Sequence, residues 1–253
     1  MDEAEASLMC AVQDSHWWWR ARRRVVAAVL ERHLRRRGGL AVADVGCGFG
    51  VHVPLLLAYG QVTCIDPNPE ALDHLAGKWG GKVALVRAAV PEPLARRFDL
   101  MVLADVLEHI EGDAAAVEWM HRHLNDGGHV LLTVPAHPAL WTQMDEAVGH
   151  RRRYRRGQLC RLLRHRFEIV HMSYYNMLLL PAKLAFVAFD RLCRLLRPTA
   201  PKRSFNEVPP RPVNWLLGAL ASLEAPLAGR WSLPVGVGLV VLARRRPVAG
   251  GWI

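Results

Sequence analysis

The chain has no Cys-x-x-Cys pair, no apolar run long enough to span a bilayer, and fewer acidic than basic residues. Each shortage excludes something. Five cysteines, Cys10, Cys47, Cys64, Cys160 and Cys193, are scattered through 253 residues. That spacing argues against a disulfide framework or a cysteine-ligated zinc site and fits reduced thiols in a cytoplasmic enzyme. The longest apolar stretches, 177–190 and 213–229, are interrupted by Pro181 and Lys183 in the first and by Glu224 in the second. A spanning helix needs about 20 predominantly apolar residues, so a span is not expected, although peripheral contact with a membrane surface stays compatible. The opening Met-Asp-Glu-Ala-Glu is acidic and is followed by no apolar core of signal length, so no secretion signal is expected either.

The basic excess amounts to a net charge of +10, and it is unevenly placed: eight arginines fall within residues 20–37 and eight more within 151–166. Such clusters suit an anionic partner, whether a phosphate or carboxylate substrate, an acidic lipid surface or a nucleic acid. They equally suit a solvated helix face. About half of the residues are apolar, enough for a sizeable core in one α/β domain with an elaboration.

The most informative stretch is Gly46-Cys47-Gly48-Phe49-Gly50, directly behind the apolar run Leu40-Ala41-Val42-Ala43-Asp44-Val45. It reads as a buried strand breaking into a tight turn and then a helix over 51–59. Glycine suits a place where the chain turns sharply and a ligand approaches the backbone. A dinucleotide site calls for Gly-x-Gly-x-x-Gly, but position 51 is Val and Asp44 would repel a diphosphate. A second strand, Gln61-Val62-Thr63-Cys64-Ile65, ends in Asp66 and Pro67-Asn68-Pro69. An acidic residue about 20 positions beyond the glycine turn can accept hydrogen bonds from a ribose diol. The alternative role for Asp66 is a cap on the helix that follows.

Beyond Asp66 the pattern predicts a helix over 70–78, strands over 83–89 and 98–104, a helix over 113–124, the turn Asn125-Asp126-Gly127-Gly128 and a strand over 129–134. This alternation implies right-handed βαβ crossovers, a parallel sheet with helices on both faces, and ligands at the carboxyl ends of the strands. A helix over 158–165 and a strand over 167–174 follow. Next comes a mostly helical stretch cut by Pro198, Pro201, Pro209, Pro210 and Pro212, and a last strand over 233–244. Four parts result: an N-terminal helical cap (1–38), a core (39–174), a helical insertion or lid (175–232), and the last core strand with the tail (233–253). No group of His, Cys and acidic residues has metal-ligand spacing along the chain, so no metal is expected.

The glycine turn, Asp66, the fourth strand with Asp105-Val106-Leu107-Glu108-His109-Ile110, and the turn Asp126-Gly127-Gly128 follow one another at the spacings of a known superfamily. Together they resemble the class I S-adenosylmethionine-dependent methyltransferases. Three further elements resemble a bacterial small-molecule branch akin to methyltransferase types 11 and 12. They are Ser15-His16-Trp17-Trp18-Trp19-Arg20-Ala21-Arg22-Arg23-Arg24, Pro135-Ala136-His137-Pro138-Ala139-Leu140-Trp141, and Gly149-His150-Arg151-Arg152-Arg153-Tyr154. The resemblance implies a Rossmann-like seven-stranded sheet whose last two strands pair antiparallel at one edge. It also implies a cofactor site made of Asp44, Gly46, Cys47, Gly48, Asp66, Pro67, Ala89, Asp105, Val106, Trp19 and Arg23, with Arg20 or Arg23 facing the cofactor's carboxylate.

For the substrate the expectation is Trp17, His109, Trp141, Arg151, Arg152 and Arg153, with His150, Tyr154 and His137 as groups that can act in catalysis. The expected reaction is methyl transfer from S-adenosylmethionine to a small or medium-sized anionic metabolite, a carboxylate oxygen being slightly preferred. A carbon of a prenyl-diphosphate-like molecule is the alternative acceptor. Nucleic-acid methylation is disfavoured, because the turn after strand four is Asp105-Val106-Leu107-Glu108 and carries no Asn/Asp-Pro-Pro-aromatic sequence. A non-catalytic binding protein with the same fold is the remaining rival.

Overall fold

The computed structural model describes residues 12–13, 15–34, 38–196 and 208–247. Cys10, Arg35 to Arg37, Pro198 and Pro201 lie outside them, as does the tail from 248. Seven strands form one sheet in the order β3-β2-β1-β4-β5-β7-β6. They are β1 (Leu40–Val45), β2 (Gly60–Asp66), β3 (Val83–Arg87), β4 (Phe98–Ala104), β5 (Leu124–Pro135), β6 (Phe167–Tyr175) and β7 (Gly238–Arg245). The first five run parallel, while β7 lies antiparallel between β5 and β6. The expected seven-stranded α/β sheet is therefore present.

Its central strands are buried on both faces. Val42 and Ala43, Leu100 to Leu103, Val130 to Leu132 and Leu239 to Ala243 are almost wholly shielded from water, as befits apolar runs in a sheet covered by helices. Register sets the site. Val45 pairs with Ile65 on one side and Leu103 on the other, and Ala104 pairs with Thr133. Gly46, Asp66, Asp105 and the end of β5 consequently emerge along one line. That line crosses the point between β1 and β4 where the strand order reverses, which is where ligands bind in such sheets.

The flanking helices are α1 (Trp17–His33), α2 (Val53–Leu56), α3 (Pro69–Trp79), α4 (Asp113–His123), α5 (Gln143–Ala147), α6 (Arg156–Leu163), α7 (Leu180–Leu196) and α8 (Arg211–Arg230). The helix expected over 51–59 is only one turn long, because Gly50 has φ +78° and residues 49–52 turn before the helix starts. The last strand begins at 238, later than expected. Before it, Val237 donates its N–H to Tyr175 and accepts from Ala136, which ties an irregular segment to the sheet end. Strand β5 begins earlier than expected, absorbing the Asn-Asp-Gly-Gly turn.

The two long helices between β6 and β7 take different places. Helix α8 lies along α1, where His33 bonds the Gly229 carbonyl at 3.1 Å and the Asn214 side chain accepts from Trp17 N–H at 2.9 Å. The lone acid in its apolar sequence, Glu224, is buried and accepts the N–H groups of Met177 and Leu178, satisfying the backbone that leads into α7. Helix α7 instead sits over the segment after β5: Arg191 donates to the Ala139 carbonyl and Arg194 pairs with Glu146. Both helices keep large apolar side chains in solvent, among them Phe189, Leu192 and Leu195 of α7 and Trp215, Leu216 and Leu223 of α8. Among the described residues no helix is long and apolar enough to cross a membrane.

The α1–α8 seam gives a test of close packing. A Cβ on Gly229 would lie 2.8–2.9 Å from the backbone and Cβ of Ala28, whereas one on Gly218 would rest 3.6 Å from Trp17 Cβ. Gly229→Val is expected to lower unfolding free energy by about 1–3 kcal/mol through overpacking. Gly218→Ala should leave stability unchanged or raise it by up to about 1 kcal/mol through helix propensity. Urea unfolding of both variants checks this, and equal midpoints would show that the seam is loose.

Candidate active site

The glycine turn and Asp66 form one unit. Gly46, Gly48 and Gly50 all adopt positive φ, a conformation that side chains with a Cβ resist. A Cβ on Gly46 would lie 2.6 Å from Val106 Cγ2, so that glycine also lets the β4 loop close over the turn. At Gly48 an added Cβ would meet no atom within 4 Å, which leaves the backbone there open to a ligand. Asp66 accepts the Gly48 N–H through Oδ2 at 2.8 Å and the Asn68 N–H through Oδ1 at 2.9 Å. The cap of α3 is Asn68, whose side chain accepts from Glu70 N–H. Asp66 is therefore free of the capping role, and each of its oxygens retains a lone pair for hydroxyl donors.

Behind the turn Asp44 is buried, and its Oδ2 accepts no hydrogen bond. Burial pushes its carboxyl up to about 7; Arg22 opposes the rise and Asp66 adds to it. A buried carboxylate oxygen without a donor is suited to a cationic ligand. Beside it, Cys47 is a buried thiol kept protonated by its contact with Cys64 and by burial.

Asp105 stands at the end of β4 with φ +57°. The strain persists because three elements hold the residue: Arg22 of α1 pairs with it at 2.6 Å, Thr133 Oγ1 donates to it at 2.7 Å, and its N–H bonds the Thr133 carbonyl. Burial alone would raise its carboxyl, yet Arg22 and Thr133 hold it below the ordinary range. Arg22 also lies over the Trp19 ring at 4.3 Å. The arginine brought into the site is thus Arg22, with the expected Arg23 half-buried on the next position and near His52. His52 itself, just past the glycine turn, is buried with neither ring nitrogen bonded. Burial, aided by Arg22, lowers it to about 3, so its ring is neutral.

Toward β5 a second cluster forms. Glu108 is wholly buried, and no other described residue donates a hydrogen bond to its carboxylate. Burial, then the charge of Asp105, pushes it well above the usual range. His150 Nε2 lies 3.7 Å from Glu108 Oε1, and its Nδ1 is 2.9 Å from Asp145 Oδ1. The ring of His109 stands edge-on to that of His150, with centroids 4.9 Å apart. Asp145 is gripped at both oxygens by Arg153, at 2.7 and 3.1 Å, and accepts from Thr142 N–H. Despite burial, His150 and Arg153 hold it well below the usual carboxylate range.

The basic element therefore corrects part of the expected substrate site. Arg153 is buried with its fork taken by Asp145 and the Ala136 carbonyl, so it is a clamp inside the protein. Arg152 pairs with Asp113 at 3.0 Å and donates to the Glu111 carbonyl, while Arg151 donates to the His109 carbonyl. Tyr154 is buried, with its hydroxyl 3.2 Å from Asp113 Oδ2, and burial with that neighbouring charge keeps it a phenol. Trp17 packs against Ala21, Leu179 and Ala221 in the seam with α8, which replaces its expected place against substrate. His137 stacks on Tyr174 with centroids 5.0 Å apart, and burial followed by Arg153 and Arg155 lowers its pKa. Trp141 donates its ring N–H to Glu146 at 3.3 Å. Pro67 is exposed and Ala89 half-buried beyond β3, at the same end of the sheet.

Comparison with known proteins agrees with the geometry. A family model described as "Methyltransferase domain" matches residues 18–172. Among characterised proteins, the ubiquinone biosynthesis O-methyltransferase of Azotobacter vinelandii is 32% identical over 111 residues, 41% of this chain and 47% of that one. The tRNA U34 carboxymethyltransferase of Aeromonas hydrophila is 31% identical over 109 residues, 40% of this chain and 33% of that one. The matched region thus spans less than half the length of either relative. The solved N-methyltransferase NodS of Bradyrhizobium japonicum with S-adenosylhomocysteine superimposes with a TM-score of 0.55 at 15% identity, covering 91% of this chain and 88% of that one. With its sheet order and its open glycine cradle behind the first strand, the chain belongs to the methyltransferase domain family and shares the fold of the solved methyltransferases.

Proposed function

We propose that the protein methylates a hydroxyl oxygen of a small molecule. The carrying observation is the cluster of Glu108, His109 and His150 beside Asp105, at the carboxyl end of the sheet. A hydroxyl is a poor nucleophile until it loses its proton, whereas a carboxylate needs no such help. A buried acid and two imidazoles next to the cofactor position suit the first acceptor. The arginines that favoured a carboxylate are already engaged with Asp145, Asp113 and backbone carbonyls. An anionic acceptor is kept in a different sense, as the oxyanion generated in the site. Relatives named as ubiquinone biosynthesis O-methyltransferases, such as that of Azotobacter vinelandii, lend support to oxygen as the acceptor.

S-Adenosylmethionine supplies, when bound, an electrophilic methyl on a sulfonium, the sulfur keeping the bond pair as the new O–C bond forms. Asp66 would hold the ribose hydroxyls, Gly48 would let the backbone approach, and Asp44 would face the cationic amino-acid end. Arg22 and Trp19 close the far wall. The hydroxyl would lose its proton beside the Glu108–His109–His150 cluster, and that proton would go to solvent, which the site reaches at the exposed His109. Helix α7 would wall the acceptor from the β5 side, through Lys183 near Thr142. The exposed apolar faces of α7 and α8 support a peripheral membrane contact for an apolar acceptor. The protein's main contribution is alignment and exclusion of water.

Three outcomes are expected. Asp66→Ala weakens S-adenosylmethionine binding by about 1–3 kcal/mol, the range for lost charged hydrogen bonds; unchanged affinity by calorimetry would remove Asp66 from the site. Asp44 titrates near 7 in the free protein, and a cationic ligand prefers its ionised form. Affinity should therefore rise by up to about tenfold per pH unit toward 7 and level off above it. Arg22 and Asp66 are the charges that set this value. Asp44→Asn should flatten the profile, and a flat wild-type profile would detach Asp44 from the cofactor. Finally, a metabolite extract incubated with cofactor bearing a deuterated methyl group should give a product whose label survives mild alkali. Label released as methanol would identify a methyl ester and overturn the hydroxyl acceptor.

A further inference from the structure

We infer that Glu108, His109 and His150 form a binding site for one first-row divalent cation, placed beside the position where methyl transfer occurs. The inference rests on the active-site reading above and specifies how that site ionises its acceptor. Each of the three residues offers one ligand atom, and these atoms lie within 4.8 Å of one another. Two ligands bound at about 2.1 Å to one cation stand at most about 4.2 Å apart. His150 Nε2 and Glu108 Oε1, at 3.7 Å, already meet that limit. Closing the remainder needs only a small rotation of His109, which is exposed and therefore able to move.

Three features set this group apart from a chance meeting of polar side chains. The first is Glu108: it is wholly buried, and among the described residues none donates a hydrogen bond to its carboxylate. An isolated buried acid of this kind either holds a proton or waits for a cation to join it. The second is the support behind each imidazole. The His150 ring has Nδ1 2.9 Å from Asp145 Oδ1, itself locked by both branches of Arg153, which aims Nε2 toward Glu108. His109 Nδ1, 3.2 Å from the Gly149 carbonyl oxygen, donates there and keeps a lone pair on Nε2. Metal-bound histidines carry this kind of outer partner, a carboxylate or carbonyl that fixes tautomer and orientation. The third is the ligand set: two imidazoles and one carboxylate suit first-row divalent ions and leave coordination positions open for an incoming oxygen.

Bound there, the cation takes the acceptor hydroxyl at an open position and lowers its pKa, as it does that of water. The O–H bond breaks heterolytically, the proton goes to solvent, and the metal-held oxyanion supplies the electron pair for the new O–C bond. No oxidation state changes. The backbone ties the site together as well, since Arg151 N–H bonds the Glu108 carbonyl at 2.9 Å. The loop after β5 is thereby pinned to the loop after β4, which brings His150 to a partner 42 positions earlier in the sequence.

The test is titration of cobalt(II) into full-length protein freed of metal by a chelator, followed by visible absorption and calorimetry without any substrate. One equivalent should bind, with a band characteristic of mixed nitrogen and oxygen ligands, and zinc should displace it. His150→Ala and His109→Ala should each weaken binding at least tenfold, while His165→Ala, an exposed histidine elsewhere, should not. Glu108→Gln should do the same; should it fail to fold, the two histidine variants decide, with retained S-adenosylmethionine affinity reporting their fold. Absence of saturable one-to-one binding, or equal affinity in all variants, overturns the site. The two readings fail separately. A base-labile ester product with cobalt binding intact sinks the hydroxyl acceptor alone, and an ether product with no metal bound leaves His150 as an ordinary base and sinks the cation.

Discussion

One buried guanidinium faces a crowd of carboxylates, and the site is organised by how that imbalance is resolved. The carboxyl ends of β1, β2 and β4 bring Asp44, Asp66, Asp105 and Glu108 into a single shielded region, with Arg22 as the buried arginine among them. Asp105 takes the direct ion pair and stays ionised. Asp66 is satisfied by backbone N–H groups. The other two are pushed upward by burial, Asp44 to about 7 and Glu108 well above its usual range. A buried acid escapes its desolvation cost by holding a proton or by receiving a cation. On the proposed reading, the amino-acid end of S-adenosylmethionine would answer Asp44, and a divalent cation would answer Glu108. The charge pattern of the site is that of a receptor for positive ligands, even though the chain as a whole is strongly basic.

Arg22 reaches this position only because α1 is docked, which makes the distant insertion part of the site's support. Helix α1 lies between the sheet and α8, held at one end by Asn214 against Trp17 and at the other by His33 against the Gly229 carbonyl. Movement of α8 would loosen α1, withdraw the guanidinium and leave Asp105 in a positive-φ conformation without its partner. Strain of this kind, about 1–3 kcal/mol, persists only where the surroundings over-determine it. The glycine seam with Ala28 and the ion pair at Asp105 are therefore two ends of one mechanical connection.

The meeting of the glycine turn with Asp66 was legible because its signals are local. A strand, three glycines and an acid at the end of the next strand are set by short-range spacing, and the parallel register places them together. Arg22 was passed over for Arg20 or Arg23, although the helical pattern, which composition hides, marks it out. Among the arginines of residues 20–24 it alone joins Val25, Val26, Val29 and Leu30 on the buried face of α1, at helical intervals. Membership of that apolar stripe separates it from its neighbours better than the run of positive charge does. The Glu108 cluster was not legible, since its two histidines are 41 positions apart and meet only through the packing of two loops. Nor did the sequence distinguish Trp17, which fills a helix seam, from Trp19, which covers Arg22: both positions look like aromatic contact until the partner helix is known.

The run Arg151-Arg152-Arg153 shows why consecutive charges are poor guides to a binding surface. The stretch 148–155 is almost devoid of regular secondary structure, its one ladder contact being the bridge between Ala136 and Tyr154. Its course has to be fixed by side chains, and each arginine finds a different anchor: the His109 carbonyl, Asp113, and Asp145. Two of these anchoring residues also meet His150 directly: its Nδ1 lies 2.9 Å from Asp145 Oδ1, and its ring stands edge-on to that of His109. The innermost pair matters most, because Arg153 and Asp145 are both buried and bonded at two points. Removing one member of such a pair strands the other charge and costs about 3–5 kcal/mol, although the pair itself adds little net stability over an apolar substitute. What the pair contributes is position: a charged clamp behind an imidazole, in a loop with almost no ladder hydrogen bonds of its own.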